Sequence, residues 1–290
     1  MGYKLKKTIF AKQLASDLGL TIVGGDREIV FVSQSSIAKP GALAFSKSLD
    51  GIKPGVILIL PESDENNILK QGVTGIVSSN PRLDFIRALS YLEEISGFSS
   101  YDFPSKIHPS VRLGKNVVIE DGCTLSENVV IEHNVTIHSG TRIGKNSRVR
   151  SNASIGGDGF GFERQAGGRP IRFEHLGGVI IGENVEIGSC ACIARGTLGD
   201  TVIEDYVKID NLVHVAHNCR ICDGAFLIAC SEVSGGVVVG ENVWVAPNAS
   251  ITQKVKIGDN ALVGLGSVVT KTVAPNKIVA GNPAKVIRDV

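Results

Sequence analysis

From Ile107 onward the chain places an aliphatic side chain at every sixth position: Ile107, Leu113, Ile119, Leu125, Ile131, Ile137, Ile143, Val149 and Ile155. The series resumes at Ile181, Ile187 and Ile193, shifts by four residues, and then runs in steps of six from Ile203 to Val269. Two residues before each slot stands a second small or β-branched side chain, such as Val117, Cys123, Val135, Val207, Val213 and Cys219. In a strand, positions i and i−2 share a face, so both point inward. A six-residue period does not follow the 3.6-residue turn of a helix. The pattern therefore predicts short strands joined by tight corners, the hexapeptide form of a parallel β-helix. With three hexads to a coil, residues eighteen apart stack about 4.8 Å from one another. The spacing leaves the hand of the coil open.

Two stretches break the rhythm. Gly156–Val179 contains Gly-Asp-Gly-Phe-Gly-Phe at 157–162 and must leave the prism as a loop; Ala194–Asp200 is a smaller insertion. Loops on a rigid scaffold commonly carry binding groups. The glycine spacing at 157–162 is poor evidence for a dinucleotide site, because no strand–helix–strand unit surrounds it.

Residues 1–103 lack the hexad and read as a small mixed α/β domain. Helices are predicted at Phe10–Leu18 and Pro81–Ile95, and strands at Ile29–Ser33, Ala42–Phe45, Gly55–Leu60 and Gly75–Val77. Tyr101–Pro104 is the expected linker, 104–273 the β-helix, and 274–290 a tail in which Pro275 and Asn282-Pro283 end the regular strands and which caps the open end of the stem. The fold class is mainly β.

Composition narrows the function. Thirty basic and 29 acidic side chains leave a net charge of +1, which disfavours a polyanion-binding role. No apolar run approaches the roughly eighteen residues of a membrane span, and nothing near the start resembles a signal peptide, so a cytoplasmic protein is expected. The 34 glycines and 5% aromatic content suit many turns around a thin aliphatic core. Six cysteines read as small buried hydrophobes, and the lone pair Cys219 and Cys222 lacks the second pair of a zinc finger.

Among the histidines, His108, His133, His138 and His175 have no companion motif. His214 lies between inward Val213 and Val215 and so points outward, whereas His217 falls at a corner, where a side chain can reach a cleft beside the prism. Eighteen residues beyond His217 is Gly235, in Ser234-Gly235-Gly236. A general base beside an exposed backbone donor suits attack on a thioester carbonyl; a glycine there equally serves as a turn residue.

The stem, the Gly-Gly-Asp-Gly-Phe-Gly-Phe loop, Arg195–Thr201 and Lys208–Asn218 resemble the UDP-3-O-acylglucosamine N-acyltransferases of lipid A synthesis, and the similarity extends weakly into the N-terminal domain. The resemblance implies a left-handed β-helix and a homotrimer with active sites between subunits. It implies N-acylation of a UDP-linked glucosamine by a phosphopantetheine thioester of an acyl-carrier protein, with no metal and no permanently bound cofactor. His217 would then be the base, Gly235 the oxyanion donor and Phe45 the ring that stacks on uracil. Asp210 and Asn211 either orient the substrate or the imidazole, or satisfy only local backbone groups.

The chain departs from the family pattern at Ala194, where an Asp is usual, and at Thr252-Gln253-Lys254, where a second His is usual; Lys254 is a candidate to meet a phosphate as a point charge. Long C-terminal helices are missing, and Gly264–Lys271 and Ala280–Arg288 resemble the end of coenzyme A-dependent sugar acetyltransferases. An acetyl-CoA-dependent N-acetyltransferase on a nucleotide-linked amino sugar is the nearest alternative. A zinc enzyme of the carbonic anhydrase type, using His133 and His138, and a non-catalytic structural protein are the others.

Overall fold

The computed structural model describes residues 3–62 and 65–290. The chain forms two units, one of residues 1–100 with 161–176, the other of residues 101–160 with 177–290.

The first unit is built on a six-stranded mixed sheet. Its elements are β1 (Tyr3–Phe10), α1 (Ala11–Leu18), β2 (Thr21–Val23), β3 (Glu28–Val32), β4 (Ala42–Phe45), β5 (Ile57–Leu60), α2 (Glu65–Lys70), β6 (Thr74–Val77) and α3 (Pro81–Ile95), with the strands ordered β1-β3-β4-β5-β6-β2. β3 to β6 run parallel, and all four residues of β5, Ile57–Leu60, are buried. α3 begins as its sequence directs: Asn80 caps the Leu83 N–H, and Pro81 occupies the first turn, where no N–H is needed. The expected strands and helices are present. β1, β2 and α2 are additions to them; in β1 the buried Tyr3, Leu5 and Ile9 share one face, and the series is interrupted at exposed Lys7, in the stretch where the register against β3 shifts.

The second unit is the parallel β-helix. Two- to five-residue strands stack into three faces, which hold eight, ten and eight strands. The first face starts at Lys106–Ile107, the second at Arg112–Leu113 and the third at Val118–Ile119. Register follows the hexad count: Ile131 pairs with Val149, Val215 with Val233, and Val233 with Ile251. The inward side chains from Cys123 to Val279 form one continuous core, most of them under 2% exposed. Ile107 and Leu113, at the start of the stem, are 41% and 49% exposed, since no earlier coil covers them. Corners turn through left-handed residues, usually Asn or Gly, and Asn116, Asn134, Asn128 and Asn146 add side-chain bonds from coil to coil.

Pro275 and Asn282-Pro283 do not end the regular strands. Lys277–Ala280 joins the second face beside Leu262–Val263, and Lys285–Asp289 returns antiparallel to it. The spacing has contracted here, with Asn260 bonded to Asn276 sixteen residues on, so the hexad count misses both strands.

The cysteines divide. All six are free thiols; Cys123 and Cys219 are buried as expected, while Cys190, Cys192 and Cys230 are exposed. Cys190 and Cys230 occupy left-handed corner positions, and Cys192 lies outward on the third face beside His214. Cys219 donates to the Ser234 carbonyl at 3.1 Å, and burial pushes its thiol up to about 12. The native state therefore keeps a proton that the unfolded chain releases near the ordinary value of 9.0, so stability present below that pH declines as pH rises toward about 12. The full loss is on the order of 4 kcal/mol. Urea unfolding between pH 8 and 11 is expected to show a steeper decline for the native protein than for Cys219→Ala; parallel curves would refute this assignment.

Candidate active site

Each coil has three edges, and the two insertions leave the prism at the same one, between the third and first faces. The larger departs after the third-face strand Ser154–Gly157, and its outer part forms an antiparallel hairpin, Phe162–Arg164 with Pro170–Arg172, which belongs to the first unit. The smaller follows the third-face strand Cys192–Ala194. His217, Gly235 and Lys254 succeed one another coil by coil on this edge: the Gly236 N–H donates to the His217 carbonyl, and the Lys254 N–H donates to the Gly235 carbonyl.

The half-buried imidazole of His217 lies against Gly235. A methyl group on Gly235 would come within 2.7 Å of Cε1 and 2.9 Å of Nε2, so only glycine leaves room for the ring. Gly235 has no left-handed backbone requirement, whereas Gly236 beside it has φ 71°. Among the described residues, no hydrogen bond engages the Gly235 N–H. The register thus brings together an imidazole and an available main-chain donor.

Asn218, which the sequence pattern does not single out, stands at the other end of the imidazole. Its Oδ1 is 3.0 Å from His217 Nδ1 and accepts from the Thr197 N–H at 3.2 Å and the Thr197 hydroxyl at 2.9 Å. Its Nδ2 donates to the Gly199 carbonyl at 3.1 Å. Thr197 and Gly199 belong to the smaller insertion, 21 and 19 residues before Asn218, so the eighteen-residue count does not connect them. The signal available in the sequence is an Asn, a residue type that takes left-handed corners, directly after the candidate base.

Asp210 and Asn211 are not with them. They sit on the edge between the second and third faces, where Asp210 accepts from the Asn211 and Ala229 N–H groups and Asn211 Oδ1 accepts from the Ser189 N–H. Both staple corners through these bonds. Lys254 is exposed, with its stem over Gly236. Phe45, in the first unit, is half-buried at the end of β4, its ring 4.9 Å from that of Phe85.

His133 and His138 do not share a ligand set. His133 is on the edge that carries Asp210 and accepts from the Lys115 N–H, whereas His138 is on the insertion edge with Nδ1 on Glu120 at 3.0 Å. Burial raises the Glu120 carboxyl, but bonds from the Ser139 N–H and His138 outweigh it and hold the group below the usual carboxylate range. Among the described residues, no three His, Cys, Asp or Glu side chains gather as a metal would require. No helix there is long and apolar enough to cross a membrane.

The repeat, the parallel coil and the edge that carries His217 define the hexapeptide-repeat transferases. The bacterial transferase hexapeptide family (six repeats) matches residues 122–157 and 236–271. The chain is 36% identical over 300 residues to the UDP-3-O-acylglucosamine N-acyltransferase of Campylobacter lari, covering 96% of this chain and 93% of that protein. It is 34% identical over 294 residues to the protein of the same name from Delftia acidovorans, covering 94% and 86%. The chain belongs to the UDP-3-O-acylglucosamine N-acyltransferase family and is an acyltransferase. A solved structure of LpxA from Acinetobacter baumannii matches with a TM-score of 0.56 at 25% identity, over 64% of this chain and 72% of that one; with this likeness the coil is left-handed, as the resemblance implied.

Proposed function

We propose that the protein transfers an acyl group from a phosphopantetheine thioester to the 2-amino group of a UDP-linked, 3-O-acylated glucosamine in lipid A synthesis, with His217 and Gly235 as its catalytic groups. The observation that carries this reading is the contact between the His217 ring and Gly235 on the insertion edge. Neutral His217 takes a proton from the amine as its nitrogen attacks the thioester carbonyl. The Gly235 N–H donates to the oxyanion that develops. Collapse of the tetrahedral intermediate breaks the C–S bond, and the imidazolium returns the proton to the departing thiolate. Atoms and charge balance without a covalent enzyme intermediate.

The family resemblance supports Phe45 as a substrate-binding group, and residue type supports Lys254. Phe45 offers the ring for uracil, and Lys254, one coil beyond Gly235, offers a charge for a phosphate. A homotrimer, which the family resemblance implies, and a cytoplasmic location accompany the reading. Acyl-carrier protein is the proposed donor, because the relatives that cover nearly the whole chain are N-acyltransferases of the 3-O-acyl sugar. The same catalytic pair would serve acetyl-CoA.

A donor-by-acceptor assay tests this directly. 3-Hydroxyacyl-acyl-carrier protein and acetyl-CoA are each offered with UDP-3-O-acylglucosamine and with other UDP-amino sugars. Amide formation from the carrier thioester on the 3-O-acyl sugar is the expected result. Turnover with acetyl-CoA alone, on a sugar without the 3-O-acyl group, would replace this reading with the acetyltransferase one.

A further inference from the structure

The amide of Asn218 can be oriented from its own partners. Nδ2 is a donor and needs an acceptor, which the Gly199 carbonyl supplies. Oδ1 is an acceptor and meets the Thr197 N–H and hydroxyl. A flipped amide would set its NH₂ against the Thr197 N–H and its oxygen against the Gly199 carbonyl, a clash at both ends. The atom facing His217 Nδ1 at 3.0 Å is therefore an acceptor, and Nδ1 must carry the hydrogen. In a neutral imidazole this leaves the lone pair on Nε2, the nitrogen beside Gly235.

The insertion that supplies Thr197 and Gly199 is itself fixed. The Gly177 N–H donates to the Gly196 and Thr197 carbonyls, and Asp200 accepts from the Gly178 N–H. Gly196 has no room for a side chain, since a Cβ there would fall on the Gly199 oxygen. The Asn218 N–H is held by the Thr201 hydroxyl at 2.9 Å.

We propose that Asn218 is a positioning residue for the transfer reaction: gripped by the Ala194–Asp200 insertion, it fixes the proton of His217 on Nδ1 and so presents Nε2 as the base. The inference deepens the assignment of His217 as base and rests on it. It also gives the smaller insertion a role, since the tight turn through Gly196 builds the two contacts that set the amide's direction. Imidazole in water favours the opposite tautomer, with hydrogen on Nε2, so losing the amide would remove the reactive form from most molecules.

Asn218 has a left-handed backbone, φ 60°, and Asn is common at such corners, so a merely structural role has to be separated from this one. Asn218→Gly keeps the corner without strain and deletes the amide; Asn218→Asp keeps the acceptor facing Nδ1. The experiment combines histidine ¹⁵N spectra of the resting protein, with the His217 signal identified by its loss in His217→Ala, and steady-state kinetics using the carrier thioester and the 3-O-acyl sugar.

The native protein is expected to show Nδ1–H at His217. Asn218→Gly should populate Nε2–H and lose about tenfold or more in kcat, with KM within twofold; Asn218→Asp, which keeps the acceptor facing Nδ1 but loses the bond to the Gly199 carbonyl, should keep the native tautomer and recover part of the kcat that Asn218→Gly loses. Three results would overturn the proposal: an unchanged tautomer in Asn218→Gly, a changed tautomer with undiminished kcat, or an Asn218→Asp protein that holds the native tautomer yet turns over no faster than Asn218→Gly. Full activity in His217→Ala would remove the base instead, while the resting spectra would still show whether Asn218 sets the tautomer.

Discussion

Replacing His217 with alanine is expected to lower kcat by about 10²–10⁴-fold, the usual contribution of a positioned general base, with little change in KM for the UDP-sugar. Geometry sets this expectation. His217 is half-buried on the edge where both insertions leave the coil, its Nδ1 is occupied by Asn218, and its Nε2 side faces Gly235. An alanine there leaves the Gly236 N–H to His217 carbonyl bond intact, because that bond uses only main-chain atoms. The fold should therefore survive while the proton acceptor is lost. Release of carrier thiol under saturating substrates reads the effect, and turnover within threefold of the native rate would eliminate His217 as the base.

Gly235→Ala is the second large effect, expected at about 10²-fold in kcat. The backbone at 235 tolerates alanine and its N–H would remain, so neither strain nor loss of the donor explains a defect. The added methyl would lie 2.7 Å from Cε1 and 2.9 Å from Nε2 of His217, closer than carbon and ring atoms can approach. The ring must swing away, and displacement of a reacting group by about 1 Å is enough for a loss of that size. A variant that folds and turns over normally would show that the ring has no fixed place in the reaction.

The stem is legible in the sequence because each inward slot reports the same environment: Ile131, Val215 and Ile251 all fill one core, and a six-residue period has no competing interpretation. The pairing of His217 with Gly235 follows from the same count, since no residue is inserted between their coils. Counting fails where the chain departs from eighteen. Asn218 meets Thr197 and Gly199 across an insertion, and Lys277–Ala280 pairs after a coil shortened by two residues, so neither can be placed by arithmetic.

Other differences have a chemical origin. Asp210 and Asn211 are residue types that serve a substrate or a corner equally well, so their bonds to the Asn211, Ala229 and Ser189 N–H groups are not legible in the sequence. Cys190 and Cys230 read as core residues by type, yet each occupies a left-handed corner position that places it on the surface. In the first unit, β1 is hidden because Lys7 occupies a position in phase with the buried Tyr3, Leu5 and Ile9 and interrupts the alternation by which a strand is recognised.

The most direct measurement compares Gly235→Ala in two backgrounds. If Gly235 matters because its missing side chain makes room for the imidazole, the substitution should cost about 10²-fold in the native protein and almost nothing once His217 is already alanine. Equal losses in both backgrounds would mean that the two residues act independently and that their contact on the insertion edge is not the site of the chemistry.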